Sequence, residues 1–570
     1  MRSPAALPFL LVALTAGAAA QTPVPVQVPD LREEVTGYAA DLRDLERRYD
    51  VPLSGECADR FRSYLEARRQ RFAAMPTEGF GRDALVDLWL LRGDVEQRLT
   101  DLERERAQRE QALPLLPHAG PLVARCEARR RMEPVDPEAA AAELATLAAT
   151  LAAAHERLDA GAFDDVPLPA ARRAVALGED LHRAARAWFE FHDGYDPMFS
   201  WWARAPWRAY DEAQQRWLGA VRQRLVDGRT GDATLVGDPI GETALLRSLR
   251  AERIPYTPQE LVAIAEREFA WCEREAAKYA AELGCDSWHA ALERTKQGHV
   301  APGEQPQLIR RLADEAVAFL DERDLITIPE LARECWRMSM MSPAAQRVNP
   351  FFLGGETIQV SFPTDAMEHD LKLQSLRSNN EHFCRATVHH ELIPGHWLQQ
   401  YTTARHRTWR RMFSTPFWIE GWALYWEMRL YDLGLAQSPQ DRIGMLYWRK
   451  HRCARIVFSL NFHLGNWTAP ECVDYLIQKV GHEPAAAAAE VRRSVGGDYG
   501  PLYQAAYMLG GLQLRALHGE LVGGGAMTER AFHDAVLQQN SIPIALVRAA
   551  LSPGEPTEES VNGWRFADVQ

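Results

Sequence analysis

The stretch HHELIPGH, residues 389–396, holds two imidazoles and a carboxylate between His390 and His396, in a chain with 17 histidines among 570 residues. Two neutral histidine nitrogens can bind a zinc ion, and an adjacent glutamate can take a proton from the attacking water. In the usual H-E-x-x-H form the two histidines are four residues apart on a helix and face the same ion. This stretch therefore predicts a metal site built on a helix.

The spacing of the two histidines departs from that form. Six residues on a straight helix turn His390 and His396 about 240° away from each other. Pro394 and Gly395 lie between them, and this pair favours a bulge or a break, because proline removes an N–H and glycine permits unusual backbone angles. We expect the break to bring His396 back toward His390.

A second pair of histidines could instead be the metal ligands. His389 and His396 are seven residues apart and share a helical face, but they lie about 10 Å apart along the axis. We favour His390, because Glu391 then directly follows the first ligand. A chance occurrence of this short pattern is a further alternative, and the rest of the chain has to decide between them.

Composition limits the class of protein. The chain is 46% hydrophobic and 25% charged, as is usual for a globular protein, and it is long enough for more than one domain. A net charge of −13 argues against a nucleic-acid surface, which would be basic. Its 8 cysteines show no C-x-x-C spacing, which argues against a cysteine-rich zinc site and leaves disulfide pairing open.

The first 20 residues have the pattern of a secretory signal peptide. Arg2 provides a positive start, residues 7–13 are a short apolar run, and Ala18, Ala19 and Ala20 fit a cleavage site. The run is too short for a membrane-spanning helix. We expect an exported protein, in the periplasm or secreted, with no membrane insertion after the signal is removed.

Apolar residues spaced three or four apart predict a mainly α fold, a large helical bundle. A stretch with glycines near residues 228–241 predicts a boundary between an N-terminal helical region, 21–228, and a C-terminal catalytic helical region, 240–570. Whether the two form one continuous domain is open. Alternating residues within 345–363 predict a short β-hairpin or small sheet near the motif. The helical pattern covers 31–49, 57–74, 84–112, 137–158, 169–190 and 208–227.

A second motif, TPFWIEGWALYWE at residues 415–427, supplies a candidate third metal ligand. Thr415 and Pro416 predict a helix start, which places Glu420 in the second turn. Two histidines and a glutamate from a later helix would leave a fourth zinc position open for water. Glu427 faces the same side and could orient a ligating histidine, or it could form a surface salt bridge with Arg429 or Arg410.

Together, HELIPGHWLQ and EGWALYWE resemble the motifs of a bacterial family known only as domain of unknown function 885. Its members carry HEAYPGHHLQ-like and EGWALYAE-like motifs, and the similarity covers roughly residues 30 to 555. The family resembles helical zinc peptidases related to the thimet oligopeptidases and the Taq-type carboxypeptidases, which implies a mostly α fold with a deep central cleft. The resemblance implies His390, His396 and Glu420 as metal ligands and Glu391 as the general base.

The chain departs from the family pattern at several positions. Trp397 stands where many members have a second histidine. Leu502, Tyr503 and Met508 replace the usual glycine, glutamine and lysine beside Tyr507, so the substrate preference is open.

Two further groups are candidates for stabilising the oxyanion that forms when water attacks a carbonyl. Tyr507 offers a phenol and His463 an imidazole. Each also has a structural alternative, since both lie in apolar surroundings and could simply pack in the core. Arg452 and Arg455 could hold a peptide carboxylate or pair with buried acids.

We therefore expect an exported zinc-dependent hydrolase with Zn²⁺ as its cofactor. The expected function is that of a metallopeptidase acting on short peptides, with a peptide or other small amide as substrate and no nucleic-acid partner. Two alternatives remain, a hydrolase of non-peptide amides or esters and a non-catalytic helical binding protein. The sequence leaves the substrate, the cleavage mode and the oligomeric state open.

Overall fold

The computed structural model describes residues 30–229, 235–346, 349, 351–496 and 499–569. This part of the chain is mainly helical with two short strands, which confirms the predicted fold class. The predicted signal peptide, residues 1–20, lies outside the described residues. None of the described helices combines the length and the apolar character that crossing a bilayer requires.

Helices follow one another along almost the whole described chain, with β1 (Arg337–Met340) and β2 (Thr357–Val360) before the histidine motif. The α-helices are α1 (Arg32–Arg48), α2 (Gly55–Ala73), α3 (Arg82–Ala112), α4 (Ala119–Arg130), α5 (Pro137–Asp159), α6 (Leu168–His192), α7 (Pro197–Val221), α8 (Gly241–Ala251), α9 (Pro258–Glu282), α10 (Trp288–Lys296), α11 (Gln305–Glu322), α12 (Glu330–Glu334), α13 (Pro343–Gln346), α14 (His369–Ser378), α15 (Glu381–Glu391), α16 (His396–Thr403), α17 (Pro416–Leu433), α18 (Pro439–His463), α19 (Ala469–Tyr475), α20 (Pro484–Val495), α21 (Tyr503–His518), α22 (Glu529–Gln538), α23 (Ile544–Leu551) and α24 (Glu558–Asn562). Short 3₁₀ or π segments are Leu113–Leu115, Arg222–Val226, Asp227–Arg229, Thr408–Phe413, Leu476–Val480 and Gly519–Gly523.

The amphipathic patterns predict five of the N-terminal helices well, namely α1, α2, α3, α5 and α6. The sixth predicted segment, 208–227, starts too late. Helix α7 begins at Pro197, because the side chain of Asp196 accepts hydrogen bonds from the N–H groups of Met198 and Phe199. Pro206, a residue that usually ends a helix, lies inside α7 and interrupts the pattern.

Buried side chains form two hydrophobic clusters. The smaller one lies within residues 51–226 and is built mainly from α4 to α7, with Trp188, Phe199 and Trp217 in it. The larger one combines α1 to α3 with the C-terminal helices, so that Leu91 and Trp422 belong to the same core. The first three helices are thus packed on the part of the chain that carries the two motifs. The predicted regional division stays a prediction.

Helices α17 and α21 approach each other backbone to backbone. A Cβ atom on Gly510 would lie 2.1 Å from the carbonyl oxygen of Phe417, and one on Gly421 would lie 2.5 Å from the Cα of Gly510. Real Cβ contacts are never this short, so only glycine fits at both positions. This close approach sets α17, which carries Glu420, against the helix that carries Tyr507.

The small predicted sheet is present beside the histidine motif. Strands β1 and β2 pair in parallel, and Leu353 forms an isolated antiparallel bridge with Gln359, with N···O distances of 3.0 and 2.8 Å. The sequence pattern did not predict β1, which is a strand only because it pairs with the later strand β2. After Leu353 the chain passes directly over Glu391, since a Cβ on Gly354 would lie 2.2 Å from the Glu391 Oε2 atom.

Candidate metal centre

The helix that carries the first histidine ends where the sequence predicts a break. Helix α15 ends at Glu391, the Ile393–Pro394 peptide bond is cis, and α16 begins at His396. A Cβ atom on Gly395 would lie 1.8 Å from the carbonyl oxygen of His390, so no other residue fits in this turn. The turn returns His396 to His390, with ring centroids 4.8 Å apart and planes at 87°.

Glu420 reaches the two histidines from α17. The helix starts as predicted, with Pro416 in its first turn and the hydroxyl of Thr415 accepting a hydrogen bond from the Phe417 N–H at 3.1 Å. The Oε2 atom of Glu420 lies 3.6 Å from the Nε2 of His390 and 3.2 Å from the Nε2 of His396. Ligand atoms about 2.0–2.1 Å from a tetrahedral zinc ion are themselves about 3.3 Å apart. These distances fit one ion held by the three side chains.

A buried carboxylate fixes the orientation of the first histidine. The Nδ1 of His390 lies 2.6 Å from the Oε1 of Glu427. Burial alone would raise the pKa of Glu427, but Arg452 and His390 hold it below its usual value, so Glu427 is ionised and the Nδ1–H donates. With Nδ1 held in this way, Nε2 is the nitrogen of His390 that faces Glu420.

This arrangement excludes the surface alternative for Glu427. The side chain is buried, and its expected surface partners are bound elsewhere. Arg429 pairs with Glu529, and Arg410 pairs with Asp87.

The second histidine is oriented by a side-chain amide. The Nδ1 of His396 lies 3.4 Å from the Oε1 of Gln399, and the Nε2 of Gln399 donates to the carbonyl oxygen of Trp418 at 3.1 Å. Because the amide nitrogen is used in this way, the amide oxygen is left to accept from the Nδ1–H of His396. The Nε2 of His396 is thereby also directed to the centre.

The electrostatics of the centre favour a positive charge. Burial lowers the pKa of His390, but hydrogen bonds to Glu420 and Glu427 outweigh it and raise this pKa to about 9. Burial likewise raises the pKa of Glu420, but His396 and His390 hold it well below its usual value. Buried carboxylates around two imidazoles thus form a donor set suited to a divalent cation.

Glu391 faces the same cavity and is a second carboxylate near both histidines. One ligand atom each of His390, Glu391 and His396 lie within 4.8 Å of one another. Distance alone would therefore allow Glu391 as a ligand. Of the two acids, Glu420 is the one whose oxygen lies at tetrahedral spacing from both nitrogens, and the carboxylate of Glu391 lines the same cavity.

Two tyrosines of α21 complete this side of the cavity. The ring of Tyr507 stacks on His390 with centroids 6.2 Å apart and planes at 13°. The hydroxyl of Tyr503 donates to the Oε1 of Glu420. Tyr503 is not among the site residues predicted from the sequence, where it is only a departure from the family pattern. The spacing of four between Tyr503 and Tyr507 was the available signal, because it places both on one helical face.

His463 and His389 are not brought to this cavity, which the structure lines with His390 and His396. His463 lies at the C-terminal end of α18, eleven residues or about 16 Å along the helix from Arg452. Burial lowers the pKa of His463 to about 4 and that of His389 to about 3, as in core histidines.

The two predicted arginines pair with buried acids, and binding of a peptide carboxylate stays a prediction. Arg452 and Arg455 line the cavity, and each also pairs with a buried acid. The Nη2 of Arg452 lies 3.4 Å from Glu427, and the Nε of Arg455 lies 2.6 Å from Glu490. Arg493, which no sequence motif indicates, lines the same cavity of about 230 Å³.

A second histidine cluster, His518, Glu529 and His533, does not fit a metal ion. The Nδ1 of His533 donates to the carbonyl oxygen of Leu325 at 2.7 Å, so its Nε2 accepts from the hydroxyl of Tyr425 at 2.8 Å. Neither nitrogen of His533 keeps a lone pair for a metal.

Replacing Glu427 by glutamine tests the role of the carboxylate behind His390. We expect the affinity for zinc to fall roughly 10- to 100-fold, because the carboxylate that fixes the ring is lost. Competition with a chromophoric chelator measures this change. Glu529→Gln, in the cluster that does not fit a metal, is the matched control and should keep the wild-type affinity. Equal zinc affinity in both variants would contradict the assignment.

Comparisons with known proteins agree with the fold. Residues 36–551 match a family described as "Bacterial protein of unknown function (DUF885)". A structure of a predicted lipoprotein of unknown function from Shewanella oneidensis superposes with a TM-score of 0.67 at 14% identity, covering 91% of this chain and 99% of that one. A predicted lipoprotein from Colwellia psychrerythraea gives 0.58 at 15% identity, covering 91% and 97%. No curated protein matches the chain. At these identities the two structures show a shared fold.

Proposed function

The chain belongs to the bacterial DUF885 family, and from its site geometry we propose that it is a zinc-dependent hydrolase, a metallopeptidase that cleaves short peptides. One observation carries the proposal. The Oε2 of Glu420 lies 3.2 and 3.6 Å from the Nε2 atoms of His396 and His390, with the carboxylate of Glu391 beside them in the same cavity. A purely structural cluster has no use for a second carboxylate next to a ligand set of this kind.

The roles of the residues follow from their chemistry. His390, His396 and Glu420 would hold the zinc ion, which when bound supplies Lewis acidity at the scissile carbonyl. Glu391 accepts a proton from the attacking water and passes it to the leaving amine. Burial raises the pKa of Glu391, although the two histidines oppose this, and a raised pKa makes the carboxylate a better proton acceptor.

Tyr503 would position a metal ligand, and Tyr507 would stabilise the oxyanion. Tyr503 holds the second oxygen of Glu420 and so fixes the direction of its first. Burial raises the pKa of Tyr507, so its phenol keeps its proton and can donate to an oxyanion at the centre. His463 has no part in this proposal, because it lies away from the cavity.

The proposal includes export. The predicted signal peptide at residues 1–20 supports a mature protein outside the cytoplasm, in the periplasm or secreted. The two similar structures belong to proteins described as predicted lipoproteins, which agrees with an exported protein.

Digestion of defined peptides tests the function. The mature protein, loaded with one equivalent of zinc, is incubated with peptides of two to eight residues, with nitrophenyl esters and anilides in parallel, and the products are identified by mass spectrometry. We expect peptide hydrolysis that stops in a chelator-treated aliquot and returns when zinc is added. Turnover of esters or anilides alone would replace the peptidase by a hydrolase of other amides or esters. No turnover by the zinc-loaded protein would contradict the proposal.

A further inference from the structure

Three arginines line the cavity beside the candidate metal centre. Arg452 and Arg455 project from α18 and Arg493 from α20, and their exposed fractions are 5%, 1% and 8%. Arginine is almost never buried to this extent without a partner. The burial of three arginines around one cavity therefore raises the question of which groups balance their charges.

Two buried carboxylates, Glu490 and Glu427, lie against these arginines. Glu490 lies 2.6 Å from the Nε of Arg455, and although burial raises the pKa of Glu490, Arg455 and Arg493 lower it to about 2. Glu427 lies 3.4 Å from Arg452 and is shared with a histidine of the candidate centre. Among the described residues, Arg452 and Arg455 each pair with one of these two buried carboxylates, while the other two acids of the cavity, Glu391 and Glu420, lie beside the two histidines.

Each guanidinium also keeps an unused donor. The Nε of Arg452, the Nη1 of Arg455 and the Nε of Arg493 are buried and have no hydrogen-bond acceptor among the described residues. An unmade hydrogen bond on a buried charged group is costly, so a group that enters the cavity and accepts from these donors is stabilised. A carboxylate suits guanidinium groups best, because its two oxygens accept in parallel.

Tyr507 places these arginines relative to the candidate metal centre. Its ring centroid lies 4.6 Å from the guanidinium carbon of Arg452, 4.3 Å from that of Arg455 and 6.2 Å from the ring of His390. The guanidinium carbons of Arg452 and Arg455 therefore lie no farther than about 11 Å from the His390 ring, a span that one to three extended residues cover.

We propose that Arg452, Arg455 and Arg493 bind the free C-terminal carboxylate of a short peptide, so that cleavage occurs within the last few residues. This inference rests on the proposed peptidase function. In the reaction one water is consumed, the carbonyl carbon gains an oxygen, and the C–N bond breaks. Glu391 transfers the proton from the water to the released amine. The products are a shortened peptide and an amino acid or a short C-terminal fragment.

Paired peptides test the subsite from the substrate side. The zinc-loaded protein is given one sequence as the free acid, as the C-terminal amide, and as the amide with glutamate as its last residue. We expect kcat/KM to fall roughly 10- to 100-fold from the acid to the amide, because charge-assisted hydrogen bonds are lost. Recovery with the glutamate amide would instead assign the subsite to acidic side chains. Equal turnover of the acid and both amides would overturn the subsite.

A variant tests the subsite from the protein side. Arg493→Gln leaves the three candidate ligands and the carboxylate behind His390 in place. We expect it to lower the ratio of kcat/KM for the acid peptide to kcat/KM for the amide roughly 10-fold or more. Arg515→Gln, an exposed arginine of α21, is the matched control and should leave both peptides unaffected. Thermal melts of both variants check that each one folds.

Binding without turnover separates the two proposals. Isothermal titration calorimetry compares N-acetylglycylglycine with its amide, on wild-type protein and on Arg493→Gln. Acid binding that is lost in the amide and in the variant supports the subsite even if no peptide is cleaved, in which case only the peptidase function fails. Cleavage of peptides together with equal binding of acid and amide overturns the subsite and leaves the peptidase function standing.

Discussion

Replacing Glu391 by glutamine is expected to lower kcat roughly 10²- to 10⁴-fold while zinc stays bound. Glutamine has nearly the same shape but cannot accept the proton of the attacking water. Steady-state kinetics on a cleaved peptide measure kcat, and elemental mass spectrometry measures the zinc content per chain. Glu381→Gln at the partly exposed start of the same helix is the matched control and should keep both activity and metal.

The zinc content of Glu391→Gln also shows which of the two carboxylates near the histidines is the metal ligand. Loss of zinc from Glu391→Gln, with retention in Glu420→Gln, would exchange the roles of the two carboxylates. Activity within a few-fold of wild type would show that Glu391 is not the base.

Replacing Gly395 by alanine is expected to destabilise the protein by roughly 2 kcal/mol or more and to weaken zinc binding. The new Cβ would lie 1.8 Å from the carbonyl oxygen of His390, so the turn between the two histidines has to move. Urea unfolding gives the free energy of unfolding, and a zinc titration gives the affinity.

Gly519→Ala supplies the control for this prediction. Gly519 follows α21, and nothing lies within 4 Å of its added Cβ. Its alanine variant should remain within about 1 kcal/mol of wild type and bind zinc normally. If both alanine variants behave alike, the close approach at Gly395 is not what holds the two histidines together.

Local sequence signals predicted the parts of the structure that depend on neighbouring residues. Thr257 caps α9 with Glu260, and Thr415 caps α17, because each side chain accepts from an N–H two or three residues later. The break at Pro394 and Gly395 was likewise visible, since both residue types disfavour a continuous helix. These signals were enough to place two motifs on helices and to expect the helix to break between the two histidines.

Contacts between segments that are distant in the sequence could not be predicted. Arg493 and Tyr503 join the cavity only because α20 and α21 pack beside α18 and α17. Strand β1 is defined by its pairing with β2, and nothing in its own four residues indicates that partner. His463 had the right chemistry for an oxyanion donor, but its distance along α18 removes it from the cavity.

Zinc content of the purified mature protein tests the central claim most directly. Elemental mass spectrometry is applied to the wild type, to His390→Ala and His396→Ala, and to His389→Ala as the adjacent control. We expect about one zinc per chain in the wild type and in His389→Ala, and none in the other two. A wild-type protein without zinc that also takes up none when it is added, or one that loses its zinc only in His389→Ala, would contradict the metal centre described.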